Sequence, residues 1–172
     1  MKIALTGAHK VGKTTLAEKL QESLPDYIFV QEPYVELEEK GIVFSETPEL
    51  EDFSAQLEHS IERMDLDEPD VIFDRSPLDL LAYVYATGGA KASQNFYTKV
   101  REATEEIDLL IFVPVENPDI IGCPESEFPQ LREKVNDLLE EWINDFDLET
   151  LVVRGTLAAR ERQVLETIVR LY

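Results

Sequence analysis

Basic residues are scarce in this sequence. Its 172 residues include 16 Lys and Arg against 36 Asp and Glu, a formal net charge of −20. A surface with this charge repels the phosphate backbone of nucleic acids, so nucleic acid is not expected as a partner. The imbalance also makes the few basic residues informative. Any that lie beside a bound anion must hold its charge against the field of the whole molecule.

The sequence also contains a single cysteine and no long apolar run. The single cysteine, Cys123, has no partner for an internal disulfide, which is typical of a reducing cytoplasm. No apolar stretch approaches the roughly 20 residues of a membrane span, and no signal-peptide core precedes the first strand. We therefore expect a cytoplasmic protein without a membrane partner. Internal repeats and low-complexity tracts are absent as well, so residues 1–172 are expected to form one domain.

The strongest pattern in the chain is G-x-x-x-x-G-K-T at residues 7–14. The apolar run Ile3–Leu5 predicts a strand before it, and a helical pattern begins at Lys13. Two glycines let the backbone curl so that successive N–H groups point into one concavity, which suits an anion. The spacing therefore predicts the phosphate-binding loop known as Walker A.

This loop predicts ATP and Mg²⁺ as cofactors. Lys13 is expected to reach the β- and γ-phosphates, and the Thr14 hydroxyl is a candidate magnesium ligand. The following helix contributes its unpaired N–H groups and the positive end of its dipole. The residues expected around the nucleotide are Gly7, Ala8, His9, Lys10, Val11, Gly12, Lys13, Thr14 and Thr15.

Strand and helix patterns alternate along the chain, which predicts an α/β fold. We expect a single-domain P-loop NTPase fold, with a five-stranded parallel sheet covered by helices on both faces. The predicted strands are Ile3–Leu5, Tyr27–Val30, Val71–Phe73, Leu109–Val113 and Leu151–Val153. Helices are predicted at Lys13–Ser23 and Glu36–Lys40, from Thr47 to Met64, from Asp74 to a Gly88-Gly89 turn, from a Ser93 cap to Glu106, at Leu131–Phe146, and after Thr156.

Acidic residues flank three of the predicted strands. Ligands of open parallel sheets bind beyond the carboxyl ends of the strands, where Glu32 and Asp74 lie. Asp108 precedes its strand and should lie at the opposite edge. We expect Asp74 to hold magnesium with Thr14, the alternative being a helix cap. Glu32 is a candidate to accept a proton from an attacking hydroxyl, the alternative being an acidic turn residue.

Three segments of the chain resemble one group of enzymes. They are GAHKVGKTT, then Phe-Val-Gln-Glu-Pro, then Val-Ile-Phe-Asp-Arg-Ser-Pro-Leu-Asp. Together they are similar to the small P-loop kinases that include deoxynucleoside kinases and ribosylnicotinamide kinase, and to the AAA-like ATPase and kinase domains near them. The resemblance covers nearly the whole chain. It implies a nucleoside triphosphate and a small-molecule acceptor as ligands, and a homodimer is compatible with it.

The resemblance also implies roles for individual residues. Glu32 matches the base that takes the proton of the substrate hydroxyl. Asp74, Arg75 and Ser76 match a group that assists the metal and phosphates, although Arg75 could instead form a surface ion pair. Gln56 is a loose match to a glutamine that reads the base. The residues expected around the acceptor are Glu32, Tyr34, Phe53, Gln56 and Arg75.

The family further implies a mobile lid after the fourth strand, with arginines that close on the transferring phosphate. This sequence departs from that pattern, because residues 115–130 contain four acidic residues and no basic one. Arg132 stands at the far end of this segment, either as a phosphate ligand or as an exposed helix residue paired with a glutamate. Arg160 and Arg162 could each flank the adenine or face solvent, and one of them is expected to face solvent; Arg160 is the candidate nucleotide ligand.

Three classes of function remain open. A small-molecule kinase is favoured by the second acid, Glu32, beside candidate substrate residues. An ATPase or nucleotide-dependent switch would use water in place of the acceptor, and a binding module would sense nucleotide without turnover. The arginine-poor lid favours the binding module. For the kinase, the expected catalytic residues are Lys13, Glu32, Asp74, Arg75 and Arg132.

Overall fold

The computed structural model describes residues 1–171 of the chain. The five strands are β1 (Lys2–Thr6), β2 (Ile28–Val30), β3 (Val71–Phe73), β4 (Leu109–Phe112) and β5 (Thr150–Val152). The six α-helices are α1 (Lys13–Ser23), α2 (Pro33–Glu39), α3 (Leu50–Met64), α4 (Pro77–Thr104), α5 (Pro129–Trp142) and α6 (Leu157–Leu171). Short 3₁₀ turns lie at Glu125–Glu127 and Ile143–Phe146.

All five strands are parallel and follow the order β2-β3-β1-β4-β5. Residues 3–6 of the central strand β1 are all fully buried. Consecutive strand residues point to opposite faces, so helices must cover both faces of the sheet. The predicted α/β sheet is confirmed. Its order places β3 beside β1, so the residues that follow β3 emerge next to the phosphate-binding loop.

The helices pack in two groups. Helix α1 contacts α6, whereas α4 contacts both α3 and α5. The range of α4 includes the two helices predicted on either side of Gly88-Gly89, which meet at a sharp kink where the backbone of Gly89 is non-helical, with φ 76°. The predicted cap at Ser93 is wrong, because its hydroxyl lies inside the helix and donates to the carbonyl of Ala90. The chain therefore turns through a single glycine rather than a loop.

The start of α3 also differs from the prediction. Thr47 and Pro48 were expected to begin this helix, but it begins at Leu50. Glu49 is the N-cap, and its backbone N–H donates to the Asp52 carboxylate at 2.9 Å in a reciprocal capping box. Two capping hydrogen bonds outweigh the preference of proline for the first helical turn. The loop before α3 is thereby left free to line a pocket.

No helix within residues 1–171 combines the length and apolar character needed to cross a bilayer.

Candidate active site

The phosphate-binding loop joins β1 to α1 and depends on two glycines. Gly7 has φ 148°, and a Cβ there would collide with the carbonyl oxygen of Val113. Gly12 has φ 88°, in the left-handed region that favours glycine. Helix α1 begins directly after it, with the N–H of Leu16 bonded to the Gly12 carbonyl at 3.1 Å. The helix N-terminus therefore faces the concavity of the loop, as an anion site requires.

Lys13 is buried, which the sequence did not indicate. Its side chain folds back over the loop, and Nζ donates to the carbonyl of Ala8 at 2.6 Å. Burial lowers the pKa of Lys13 to about 8, and the nearby Arg75 guanidinium adds to this effect. The carboxylates of Asp79, Asp74 and Glu32 oppose it. A triphosphate in the loop would add negative charge beside this buried ammonium and favour its charged form further.

Asp74 follows β3 and lies against the start of α1. Its N–H bonds to the Val30 carbonyl at 2.9 Å, and its carboxylate accepts a hydrogen bond from the Thr14 hydroxyl. Burial raises the pKa of Asp74, although the Thr14 hydrogen bond and Lys13 oppose this shift. Ser76, not Asp74, occupies the N-cap position of α4. The structure therefore does not support the capping alternative for Asp74.

The Thr14–Asp74 pair fits a magnesium ion. Oxygen Oδ1 of Asp74 is buried and has no hydrogen-bond partner among the described residues. A hard cation prefers such oxygen ligands, and Mg²⁺ usually takes its other ligands from phosphates and water. Within residues 1–171 no group of three or more His, Cys, Asp or Glu side chains could hold a metal ion.

Asp108 lies at the opposite edge of the sheet. Its Oδ2 accepts a hydrogen bond from the N–H of Lys2 at 2.7 Å, at the amino end of β1. The rule that ligands bind beyond the carboxyl ends of the strands, here called the strand-end rule, thus predicted the positions of both aspartates correctly. Asp74 lies at the carboxyl end of β3 beside Thr14.

A pocket of about 440 Å³, here called the aromatic pocket, opens beside the phosphate-binding loop. This volume is within the range of small-molecule sites. All five residues that the sequence assigned to an acceptor line it. The lining residues are His9, Glu32, Tyr34, Phe44, Ser45, Pro48, Asp52, Phe53, Gln56, Arg75, Tyr83, Ser126, Glu127, Phe128 and Leu131.

Glu32 lies between this pocket and the Thr14–Asp74 pair. It lines the aromatic pocket and also a second cavity of about 420 Å³, to which Thr14 and Asp74 contribute. Glu32 occupies the N-cap position of α2 but makes no side-chain cap hydrogen bond. Its Oε2 instead accepts from Nε of Arg75 at 3.1 Å. The carboxylate therefore faces the ligand cavities rather than serving the helix.

Arg75 is held in an ion-pair network and is not a surface residue. Its side chain is 12% exposed, and Nη1 donates to Oδ2 of Asp79 at 3.3 Å. The guanidinium also lies over the ring of Tyr83, 5.4 Å from its centroid. The backbone of Arg75 has φ 120°, a strained conformation for a residue with a side chain. Strain of this kind persists where surrounding contacts fix it, as Glu32 and Asp79 do here.

Tyr83 connects the aromatic pocket to the phosphate-binding loop. Its hydroxyl accepts from the N–H of His9 at 2.7 Å and is also 2.7 Å from Nδ1 of the same residue. Burial raises the pKa of Tyr83 to about 12, which keeps the hydroxyl protonated. Burial likewise lowers the pKa of His9, although its hydrogen bond to Glu127 opposes this. Burial therefore favours the neutral form of this imidazole.

Arg132 contacts the backbone of the phosphate-binding loop and does not project into solvent. Nε and Nη2 each donate at 2.9 Å to the carbonyls of His9 and Lys10, and Nη1 contacts Asp119 at 2.6 Å. The alternative of an exposed helix residue is wrong, because only 3% of Arg132 is exposed. With these carbonyls turned towards Arg132, the loop N–H groups are left for an anion.

Arg160 makes an equivalent contact at the other end of the loop. Nη1 donates to the Val11 carbonyl at 2.7 Å, and Nη2 donates to Oε1 of Glu116 at 2.7 Å. Its neighbour Arg162 is exposed and lies 4.0 Å from Glu166, as expected for a solvent-facing residue. Arg160 therefore contacts the backbone of the nucleotide loop, and its proposed place beside an adenine stays a prediction.

Several site residues were missed from the sequence. Asp79 and Tyr83 lie four residues apart in α4, so they share one face of the helix that follows Arg75. This spacing is the sequence pattern from which the two residues could have been assigned to the site together. The acidic residues of segment 115–130 could not be assigned partners from the sequence, because no helical or strand spacing connects them to the basic residues that they pair with. Three of them form ion pairs on or beside the phosphate-binding loop: Glu116 with Arg160, Asp119 with Arg132, and Glu127 with Lys10 at 2.9 Å.

Fold and site together define a P-loop nucleotide-binding protein. Residues 2–160 match the model of a family described as AAA domain. The chain belongs to this family. Among curated proteins, no sequence match was found.

Solved structures of small-molecule kinases share the fold. Deoxyadenosine kinase from M. mycoides, with products dCMP and a flexible dCDP bound, has a TM-score of 0.72 and 18% identity over 100% of both chains. NadR protein in complex with NR has a TM-score of 0.72 and 16% identity over 98% of this chain and 50% of its own. Thymidylate kinase from Candida albicans has a TM-score of 0.63 and 21% identity over 99% and 91%. The chain therefore has the fold of the P-loop kinases.

Proposed function

We propose that the protein is a phosphotransferase that moves the γ-phosphoryl group of ATP to a hydroxyl of a small molecule bound in the aromatic pocket. The position of Glu32 carries this proposal. Among the described residues, it is the one carboxylate that lines both the aromatic pocket and the cavity of the Thr14–Asp74 pair. A general base for a phosphoryl acceptor must stand at such a boundary, because it removes the proton of the hydroxyl that attacks.

The other residues of the site serve the triphosphate. The loop N–H groups and the N-terminus of α1 bind its phosphates, and Lys13 leaves the Ala8 carbonyl to contact the β- and γ-phosphates. Thr14 and Asp74 would hold Mg²⁺, which supplies charge neutralisation at the phosphates. The acceptor oxygen gives its proton to Glu32 and forms a bond to the γ-phosphorus. The bond from that phosphorus to the β,γ-bridging oxygen breaks, and ADP leaves.

The class of acceptor is proposed from fold and pocket together. The similar structures are named as kinases of deoxyadenosine, thymidylate and, in one from Sinorhizobium meliloti, gluconate. Nucleosides, nucleotides and related metabolites are therefore the acceptors to test. The rings of Phe53 and Tyr83 stack at 4.7 Å along one wall of the pocket, which suits a planar base more than a sugar acid.

An ATPase or nucleotide-dependent switch is the second candidate, and the ion pairs of segment 115–130 favour the switch over rapid turnover. Arg132 and Arg160 are both engaged by loop carbonyls and by the lid acids Asp119 and Glu116. Free arginines that close on the transferring phosphate usually speed transfer strongly. A lid whose acids hold these arginines is better suited to slow turnover or to reporting the bound nucleotide.

The variant Glu32→Gln separates the two candidates. It removes the charge of Glu32 and keeps its size, so ATP binding measured by calorimetry should survive. Transfer of labelled phosphate to an acceptor should fall by about 10²–10⁴-fold, the usual contribution of a positioned base. Background hydrolysis should change far less. The control is Glu39→Gln, at an exposed position in the last turn of the same helix.

The opposite pattern supports the ATPase. If wild type phosphorylates no acceptor in a panel of nucleosides, nucleotides and sugar acids, and Glu32→Gln abolishes ATP hydrolysis, then Glu32 positions water and the kinase proposal is wrong.

A further inference from the structure

Segment 115–130 follows β4 and lies against the phosphate-binding loop. The side chain of Ile121 is next to Gly12, because a Cβ at Gly12 would lie 3.4 Å from Cδ1 of Ile121. Nε2 of His9 lies 2.6 Å from the carbonyl oxygen of Glu127. A carbonyl oxygen only accepts, so the imidazole donates this hydrogen bond. The segment therefore contacts the loop at two separate residues.

The carboxylates of the segment hold two arginines that contact the same loop. Oε1 of Glu116 accepts from Arg160 at 2.7 Å, and Oδ2 of Asp119 accepts from Arg132 at 2.6 Å. Both arginine side chains are almost completely buried, so these ion pairs are less screened by water than surface pairs are. The hydrogen bond from Arg160 lowers the pKa of Glu116, and the one from Arg132 lowers the pKa of Asp119. Both carboxylates are therefore ionised at neutral pH.

The sign of this charge is unfavourable for a bound nucleotide. A triphosphate in the loop is strongly negative, and like charges repel most where water is partly excluded. An arginine-bearing lid, which the resemblance implies, would be attracted by the same phosphates. Residues 115–130 contain four acidic residues and no basic one. This segment therefore competes with a triphosphate for the positive charge beside the loop.

The segment can move without rearrangement of the sheet. Its regular structure before α5 is one short 3₁₀ turn, Glu125–Glu127. Ile120 is 68% exposed, and the turn that follows it is held by hydrogen bonds to Oδ1 of Asp119 within the segment itself. Segments with few buried apolar contacts open at a small fraction of the free energy of global unfolding. Displacement of this segment therefore leaves the strands and helices in place.

We propose that segment 115–130 is an autoinhibitory strap: its carboxylates occupy Arg132 and Arg160 beside the phosphate-binding loop, and a triphosphate must displace the segment to bind tightly. Displacement requires the loop and no acceptor, so it is expected of a kinase and of an ATPase alike. The apparent affinity for nucleotide is then the intrinsic affinity reduced by the fraction of molecules in which the segment is displaced.

Asp119→Asn tests this competition. The two carboxylate oxygens of Asp119 have separate roles, because Oδ1 accepts from two N–H groups of the turn and Oδ2 accepts from Arg132. An amide has one oxygen, so asparagine can keep the turn but not the ion pair as well. Arg132 keeps its two hydrogen bonds to the loop carbonyls. Calorimetry with Mg²⁺ and a non-hydrolysable ATP analogue should show binding about tenfold tighter than in wild type.

Glu125→Gln is the matched control for this variant. Glu125 is exposed and lies in the same segment, so its substitution removes the same charge without releasing an arginine. Its affinity for the analogue should stay within about twofold of wild type. Equal affinity in wild type and Asp119→Asn would overturn the proposal. An equal gain in both variants would overturn it as well, because net charge alone would then explain the effect.

Cys123 reports whether the segment moves. It is the single cysteine of the chain, it is half-buried, and its Sγ lies 3.3 Å from the carbonyl oxygen of Glu127. Burial raises the pKa of Cys123, so movement into solvent favours the reactive thiolate. Alkylation by N-ethylmaleimide, followed by mass spectrometry, should become about tenfold faster when Mg²⁺ and the analogue are added. In Asp119→Asn it should already be fast without nucleotide.

The direction of the change in alkylation rate separates displacement from closure. Slower alkylation with the analogue would mean that the segment closes over the phosphates as a lid, and an unchanged rate would mean that it stays in place. Tighter binding by Asp119→Asn without faster alkylation would mean that the carboxylate only repels the phosphates locally. Each of these results overturns the proposal. Phosphate transfer enters neither measurement, so the lack of any acceptor would overturn the proposed function alone.

Discussion

At the scale of single residues, the nucleotide site is made of charged groups held in the interior. Lys13 and Asp74 are both almost fully buried, and each has its pKa moved towards the neutral form by burial. Burying such groups lowers the free energy of unfolding, because interactions with their neighbours only partly offset the desolvation of the charged forms. Their substitution should therefore affect binding and catalysis more than folding.

Lys13→Met should weaken binding of Mg·ATP by about 100-fold or more, because it removes a charge-assisted contact to the phosphates. Methionine is chosen over alanine because the lysine stem is buried and an alanine would leave a cavity. Calorimetry gives the affinity, and thermal melting confirms the fold. Lys19→Met is the control, since Lys19 lies on the same helix and pairs with Glu22 at the surface. Equal affinity in wild type and Lys13→Met would contradict the Walker A interpretation.

Asp74→Asn should abolish magnesium-dependent turnover, whereas Asp108→Asn should leave it nearly intact. Asp74 shares a hydrogen bond with Thr14 at the loop, but Asp108 caps the far end of β1 through Lys2. Phosphate release measured over a range of Mg²⁺ concentrations distinguishes them. Loss of activity in Asp108→Asn alone would mean that the metal lies elsewhere and that the strand-end rule fails here.

At the scale of elements, segment 115–130 and helix α5 support the phosphate-binding loop. Arg132, near the start of α5, donates to two carbonyls of the loop, and Asp119 of the segment holds its remaining nitrogen. The guanidinium fork makes three directed contacts at once, which an ammonium group cannot do. The shape of the loop therefore depends on an element more than a hundred residues away in sequence.

We therefore expect Arg132→Lys to weaken nucleotide binding, although it keeps the positive charge. ATP affinity should fall by about tenfold or more, because at least one charge-assisted hydrogen bond to the loop is lost. Protection of the segment against limited proteolysis should fall as well, since Asp119 loses its partner. Arg162→Lys, at an exposed position on α6, is the matched control. If Arg132→Lys binds ATP as well as wild type does, the loop is shaped without this contact.

At the scale of the whole molecule, the net charge of −20 and the buried acids make stability depend on pH. Asp79 is the clearest case. Burial raises its pKa from an ordinary 3.8 to about 6, against the opposing effects of Arg75 and Lys13. The folded state thus binds this proton more tightly than the unfolded state. The stability that it contributes is complete below pH 3.8 and is lost as the pH rises through about 6.

Asp79→Asn should remove this pH-dependent contribution to stability, because asparagine does not titrate. The melting temperature of wild type minus that of the variant should decrease between about pH 5 and pH 7.5, by on the order of 5 °C. Asp137→Asn, at an exposed position on α5, should show a difference independent of pH. A wild-type advantage that grows with pH would mean that the ion pair with Arg75 outweighs the burial of Asp79.

The sequence by itself determined the phosphate-binding loop, the parallel sheet and the edge at which the acids meet. These features are encoded over short distances: two glycines permit the loop, apolar runs form buried strands, and an acid after a strand must lie at its carboxyl end. Helix α1 was accordingly predicted from Lys13 to Ser23, as the structure has it. Glu32, Phe53 and Gln56 were assigned to one pocket on the same grounds, with the family resemblance, and they do line one pocket.

Only the tertiary structure decided how the charges are paired. Arg132 contacts the carbonyl of His9 across 123 positions of sequence, and Arg160 contacts that of Val11 across 149. No local pattern encodes such partners, because they depend on which elements the folded sheet brings together. The burial of Lys13 and the commitment of Arg75 to Asp79 follow from the same packing. They decide whether a cation is free for a ligand, which the charge count of the sequence could not show.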